Sequence, residues 1–140
     1  MKKNLVALSS RVVDHAHKLI VSELKKFGVE GVVPSHGGIL QLLYMKKEVT
    51  MKEVAEFLHK TKPTVTVLVN KLETLGYLYR EKSLSDSRIT YIKLTKKGEE
   101  LEPIFENVSA VLNKRVYENL SQEESEVVEK ILTKVLKNFK

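Results

Sequence analysis

The sequence predicts a mainly α chain with one small β-wing, an α+β fold. Three observations carry that prediction. Apolar residues recur at helical spacing through most of the 140 residues. Alternation of period two is confined to one stretch, Tyr77–Leu94, rich in aromatic and β-branched residues. Helix-start signatures stand at Thr50 and Ser121, each followed three positions later by Glu.

In chain order, Leu5 to about Phe27 forms a first helix, with Val12, Val13, Ala16, Leu19, Ile20 and Leu24 on a broad apolar side. Gly28 and Gly31 end it. Pro34 or Ser35 starts a second helix holding Ile39, Leu40, Leu42, Leu43 and Tyr44. His36-Gly37-Gly38 lies in its first turn, where each glycine weakens a helix by roughly 1 kcal/mol. Close packing against a neighbour and room for a ligand are both consistent with that cost. Thr50-Met51-Lys52-Glu53 fits a capping box, and Val54, Ala55 and Leu58 form a short stripe behind it. A further helix runs from about Thr61 to Gly76, with Pro63 near its start, where a missing N–H costs nothing, and Gly76 just past its end. Two helices joined by so short a turn make a helix-turn-helix, although the turn lacks the glycine common there.

Strands are expected over Tyr77–Lys82 and Ile89–Leu94, joined by the polar tip Ser83–Arg88. Thr95 caps the next helix, which runs to about Asn119; Pro103 in its first turns either bends it or sets its true start later. Ser121-Gln122-Glu123-Glu124 opens the last, carrying Val127, Val128, Ile131, Leu132, Val135, Leu136 and Phe139. The apolar stripes of the first and last helices are wider than one partner requires, so both are expected to pack on a second copy of the chain.

The Thr61–Gly76 helix has two unlike faces. Val65, Leu68, Val69, Leu72 and Leu75 share one side; Pro63, Thr66, Val67, Asn70 and Thr74 share the other, with Thr64 and Lys71 on the flank. The outer side is small, polar and uncharged. Threonine can bond base edges or phosphates, Asn can read adenine and Val can touch a thymine methyl, so this composition suits a DNA groove. A Thr-rich solvated face is the plain alternative. Arg88 at the hairpin tip suits a narrow minor groove, with Asp86 holding it by a charge-assisted hydrogen bond; the plain alternative is a surface ion pair.

Charge agrees with this placement. The chain carries a formal net charge of +6. From His59 to Gly98 stand nine cations (Lys60, Lys62, Lys71, Arg80, Lys82, Arg88, Lys93, Lys96 and Lys97) against three anions (Glu73, Glu81 and Asp86), so this window holds the whole excess. A localised basic surface is what phosphate binding needs. The expected DNA-contacting residues are Lys60, Thr61, Lys62, Pro63, Thr64, Thr66, Val67, Asn70, Lys71, Lys82, Ser85, Asp86 and Arg88.

Other classes have less support. The chain has no cysteine, which excludes disulfides, thiolate metal sites and cysteine nucleophiles. No apolar run approaches the roughly 18 residues of a membrane span, and Arg11, Asp14 and His15 interrupt any leader-like stretch, so a cytoplasmic location is expected. His15 and His17 point about 200° apart on a helix and cannot ligate one ion together. No phosphate loop, His-Glu-x-x-His or Gly-x-Ser-x-Gly occurs. Neither enzyme activity, metal nor cofactor is expected. The alternative of another class is a winged helix used for protein or RNA contact, which predicts no preference for palindromic duplex.

Asp86-x-Arg88 followed by Leu94-Thr95-x-x-Gly98, behind the Thr61–Gly76 helix and Tyr77–Arg80, resembles the MarR family of winged helix-turn-helix transcription regulators, over the whole chain. The resemblance implies a homodimer on a pseudo-palindromic operator, most often a repressor, released by a small ligand. It implies dimerisation helices in residues 1–33 and 99–140 around a DNA-binding lobe at 34–98. The lack of cysteine excludes the peroxide-sensing mode of some such regulators. An effector is expected between dimer helices and reader, near His15 and His36, where an apolar cleft would suit a small aromatic or lipophilic anion.

Overall fold

The computed structural model describes residues 1–140. Its helices are α1 (Leu5–Lys26), α2 (Pro34–Lys46), α3 (Met51–Leu58), α4 (Lys62–Thr74), α5 (Lys96–Glu100), α6 (Glu102–Val116) and α7 (Gln122–Lys137). Its strands are β1 (Glu48–Thr50), β2 (Leu78–Lys82) and β3 (Thr90–Leu94), in the antiparallel order β1-β3-β2. No helix is long and apolar enough to cross a membrane.

Local chemistry accounts for the ends of the elements. The Thr50 hydroxyl accepts the Glu53 N–H while Glu53 accepts the Thr50 N–H, and Ser121 and Glu124 repeat the exchange before α7. Thr95 Oγ1 accepts the Gly98 N–H at the start of α5. Gly76, at φ +84°, turns the chain out of α4. The helix-turn-helix manages without a glycine because His59 takes the left-handed conformation, φ 54°, at the end of α3.

The stretch expected as one helix from Thr95 to Asn119, with Pro103 bending it or setting a later start, is two helices, α5 and α6, meeting at Leu101. Pro103 has no N–H to continue the α5 ladder, and the chain restarts with the Phe105 N–H on the Leu101 carbonyl. The sheet also has a third strand: Glu48, Val49 and Thr50 pair with Lys93, Ile92 and Tyr91. Three residues are too few to show a period of two.

One core joins the middle of the chain. Ile39, Leu40 and Leu43 of α2, Val54 of α3, Val65, Val69 and Leu72 of α4, Leu78 and Ile92 of the sheet, and Leu24 of α1 are almost wholly buried. Burial of such side chains contributes roughly 1.5–3 kcal/mol each. That core fixes α4 on α3 and the hairpin on α4. The terminal helices are different: α7 has no buried residue, and Ile131 and Leu132 on its apolar side are 48% and 42% exposed.

Candidate nucleic-acid interface

The buried row Val65, Val69 and Leu72 turns the other side of α4 to solvent. Pro63, Thr64, Val67, Asn70 and Thr74 are exposed there, Val67 to 68%. Thr61 is the N-cap: its hydroxyl lies 3.0 Å from that of Thr64 and accepts the Thr64 N–H. Thr66 donates its hydroxyl proton to the Lys62 carbonyl, 2.9 Å away, leaving its lone pairs for a donor. Lys60 and Lys62 stand exposed at the N-terminal end, and Lys71 lies on the flank nearest the turn at Gly31. None of these three lysines, nor Lys82 or Lys96, forms an ion pair.

The wing tip is organised by its own side chains. Ser83 Oγ accepts the N–H groups of Ser85 and Asp86, and the Ser83 N–H is bonded to the Ile89 carbonyl. Asp86 accepts the Arg88 backbone N–H at 3.0 Å and its guanidinium at 3.0 and 3.1 Å, a bidentate pair. These bonds hold the Asp86 carboxyl below its ordinary pKa, first through the guanidinium and then through the backbone N–H. The Arg88 side chain nevertheless remains 88% exposed. Its charge is thus presented to solvent on a fixed stem.

Arg80 belongs to this surface and was not singled out as a contact from sequence. It lies on β2 opposite Ile92, its guanidinium donates to Asn70 Oδ1, and it lies 3.9 Å from Glu73. Counting by two from buried Leu78 would have placed Arg80 on the α4 side of the strand. Two other cations of the basic window are used internally. Lys93 bridges Glu81 and Glu48, and Lys97 donates to the Leu75 carbonyl while lying over the Tyr77 ring.

The two histidines expected near a ligand are not brought together. His36 is 3% exposed and lines neither sizeable depression; its Nδ1 accepts the Val33 N–H at 3.0 Å, capping α2. Nδ1 of His36 is thus committed to the α2 cap, and the side chain lies in the core beneath the groove wall rather than in its lining. His15 borders a depression of about 510 Å³ between α1 and α6, beside Arg11 and Arg115. A larger groove of about 750 Å³ opens between α1, α2 and α6, and Gly37 and Gly38 line it. A Cβ on Gly38 would stand 2.4 Å from Leu58 Cδ2, so close packing also accounts for that glycine. The charged side chains of this chain that line the groove are Glu102 and Glu106. No three His, Cys, Asp or Glu side chains stand together as metal ligands.

A short helix pair presenting an uncharged outer strip, backed by a hairpin with a braced arginine, defines a winged helix-turn-helix protein. The MarR family model matches residues 30–89. The HTH-type transcriptional regulator MhqR of Bacillus subtilis is 29% identical over 131 residues, covering 92% of this chain and 90% of that protein. The regulator MgrA of Staphylococcus aureus is 31% identical over 101 residues, 72% of this chain and 67% of that protein. Among solved structures, the MepR–DNA complex of S. aureus superposes with a TM-score of 0.86 at 26% identity, covering 96% of this chain and 97% of that one. A MarR variant from E. coli complexed with operator DNA gives 0.84 at 22% identity, covering 96% and 94%. The chain belongs to the MarR family and is a DNA-binding transcription regulator, not an enzyme.

Proposed function

We propose that this regulator is a cytoplasmic homodimer that binds a pseudo-palindromic operator, represses transcription by occluding polymerase, and responds to a small ligand. The observation that carries the reading is the pair of uncovered apolar faces on the terminal helices. Val6 and Val12 on α1, Val127, Ile131, Leu132 and Leu136 on α7, and Phe139 just beyond it, are exposed in a single chain. An apolar surface of this extent is an association surface, and a second copy is the partner that places two readers on one duplex.

Residues 1–33 and 99–140 then supply the dimer, and residues 34–98 read DNA. Each α4 enters a major groove through Thr61, Lys62, Pro63, Thr64, Thr66, Val67 and Asn70. Lys60, Lys71, Lys82 and Ser85 meet phosphates, and Arg88, braced by Asp86, reaches the adjoining minor groove. Two-fold symmetry sets the half-sites about 10 base pairs apart.

The ligand would act from the groove between α1, α2 and α6. Tyr44 in its wall donates to the Gly98 carbonyl, and the Thr95 hydroxyl and N–H in turn donate to the Gly76 and Tyr77 carbonyls at the end of α4. A ligand that binds better to a groove shape incompatible with correct reader spacing releases DNA by that difference in affinity.

Light scattering at micromolar concentration tests the assembly. The mass should be that of two 16.0 kDa chains, and Ile131→Asp should lower it to one while greatly weakening operator binding. A monomeric wild-type protein would sink the reading.

A further inference from the structure

The geometry points to a lipophilic cation as the ligand of the α1–α2–α6 groove, with Glu102 and Glu106 as the residues that select its charge. This inference rests on the ligand-responsive reading and names the ligand's chemistry.

Size and lining come first. About 750 Å³ lies within the range of small-molecule sites, and Ile20, Leu24, Phe105 and Val108 make much of the wall apolar. The charges present are two carboxylates, with no Lys, Arg or His in the lining. Neither carboxylate has an ion-pair partner in the chain.

Their spacing adds to the effect. Glu102 and Glu106 are one turn apart on α6, so they stand on the same face and repel each other. A cation between them removes that repulsion, whereas an anion adds to it. The Tyr44 and Phe105 rings, 6.3 Å apart and tilted by 60°, offer aromatic surface to a delocalised cation in the same groove. The Tyr44 hydroxyl, bonded to the Gly98 carbonyl, is pushed above its ordinary pKa by burial and then by Glu102, so it remains neutral. Charge recognition therefore rests with the two glutamates.

Tetraphenylphosphonium and tetraphenylborate have nearly the same shape and opposite charge, and calorimetry with the full chain separates shape from charge. Tetraphenylphosphonium should bind at least about tenfold more tightly than tetraphenylborate. Glu102→Gln combined with Glu106→Gln should erase most of that preference while leaving the thermal melt and ligand-free DNA affinity close to wild type. The single change Glu106→Gln, at an exposed position, should erase part of it if the double variant folds poorly. Equal binding of the two ions, binding of neither, or a preference untouched by both variants would overturn the proposal. A DNA-release assay reads the parent hypothesis separately: cation binding without loss of DNA would overturn ligand control while supporting the cation site.

Discussion

The Tyr44 hydroxyl donates to the Gly98 carbonyl across 3.1 Å, tying α2 to the first turn of α5. On its other side Gly98 lies against the strand that leaves the reader: a Cβ there would be 2.0 Å from the Tyr77 carbonyl oxygen and 3.0 Å from Leu94 Cδ2. The groove wall and the C-terminal end of α4 thus share one stretch of backbone.

Gly98→Ala should therefore destabilise the protein by about 3 kcal/mol, because a backbone carbonyl cannot retreat as a side chain can. Gly38→Ala should cost less, since its obstacle is the end of the Leu58 side chain, which can change rotamer. Urea denaturation of both variants checks the order. A Gly98→Ala protein as stable as wild type would contradict the packing described.

Arg88→Ala should weaken operator binding at least about tenfold and lower the salt slope by about one, with little change in the thermal melt, because the side chain is exposed and its loss uncovers no core. Asp86→Asn should weaken binding less, since it loosens the arginine without removing it. Affinity measured by anisotropy across a salt series decides. Unchanged binding in Arg88→Ala would remove the wing from the interface.

Asn70 has its Oδ1 occupied by Arg80, so it presents amide N–H groups outward. Asn70→Ala should relax base preference at one position of each half-site, whereas Arg80→Ala should weaken all sequences together. Competition among single-base operator variants separates the two. A uniform loss in Asn70→Ala would make it a phosphate contact.

His36 should give the fold an acid-sensitive step. Burial first, and the Lys71 charge second, hold its pKa below the ordinary value of 6.5. As pH falls below 6.5, the unfolded chain takes up this proton before the folded chain does, so the unfolded state binds more protons in that window. The contribution is complete above 6.5 and is lost as pH drops toward the folded value. His36→Gln should be less stable at neutral pH through its lost cap and should show a shallower acid decline. Urea midpoints of both proteins at neutral and mildly acid pH test this; identical pH slopes would contradict it.

What was legible in the sequence was local. Thr50 with Glu53, Ser121 with Glu124, Gly76 at the end of the reader, and Asp86 with Arg88 are partners a few residues apart, and the structure pairs or places each of them as expected. The buried row of α4 followed from its helical period. What was not legible depends on distant contacts. Strand β1 exists because β3 offers it an edge, and Arg80 meets Asn70 only through the packing of β2 on α4. The negative charge of the groove arises where α6 crosses α1 and α2, and His36 turns inward as a cap, which its position in a glycine-rich turn did not reveal.

Selection of bound duplexes from a random DNA library, with affinity of the enriched sequence then followed against salt, tests the central claim most directly. The account predicts an inverted repeat with half-sites about 10 base pairs apart and a steep fall in affinity as salt rises. Salt-sensitive binding with no enriched sequence would contradict it.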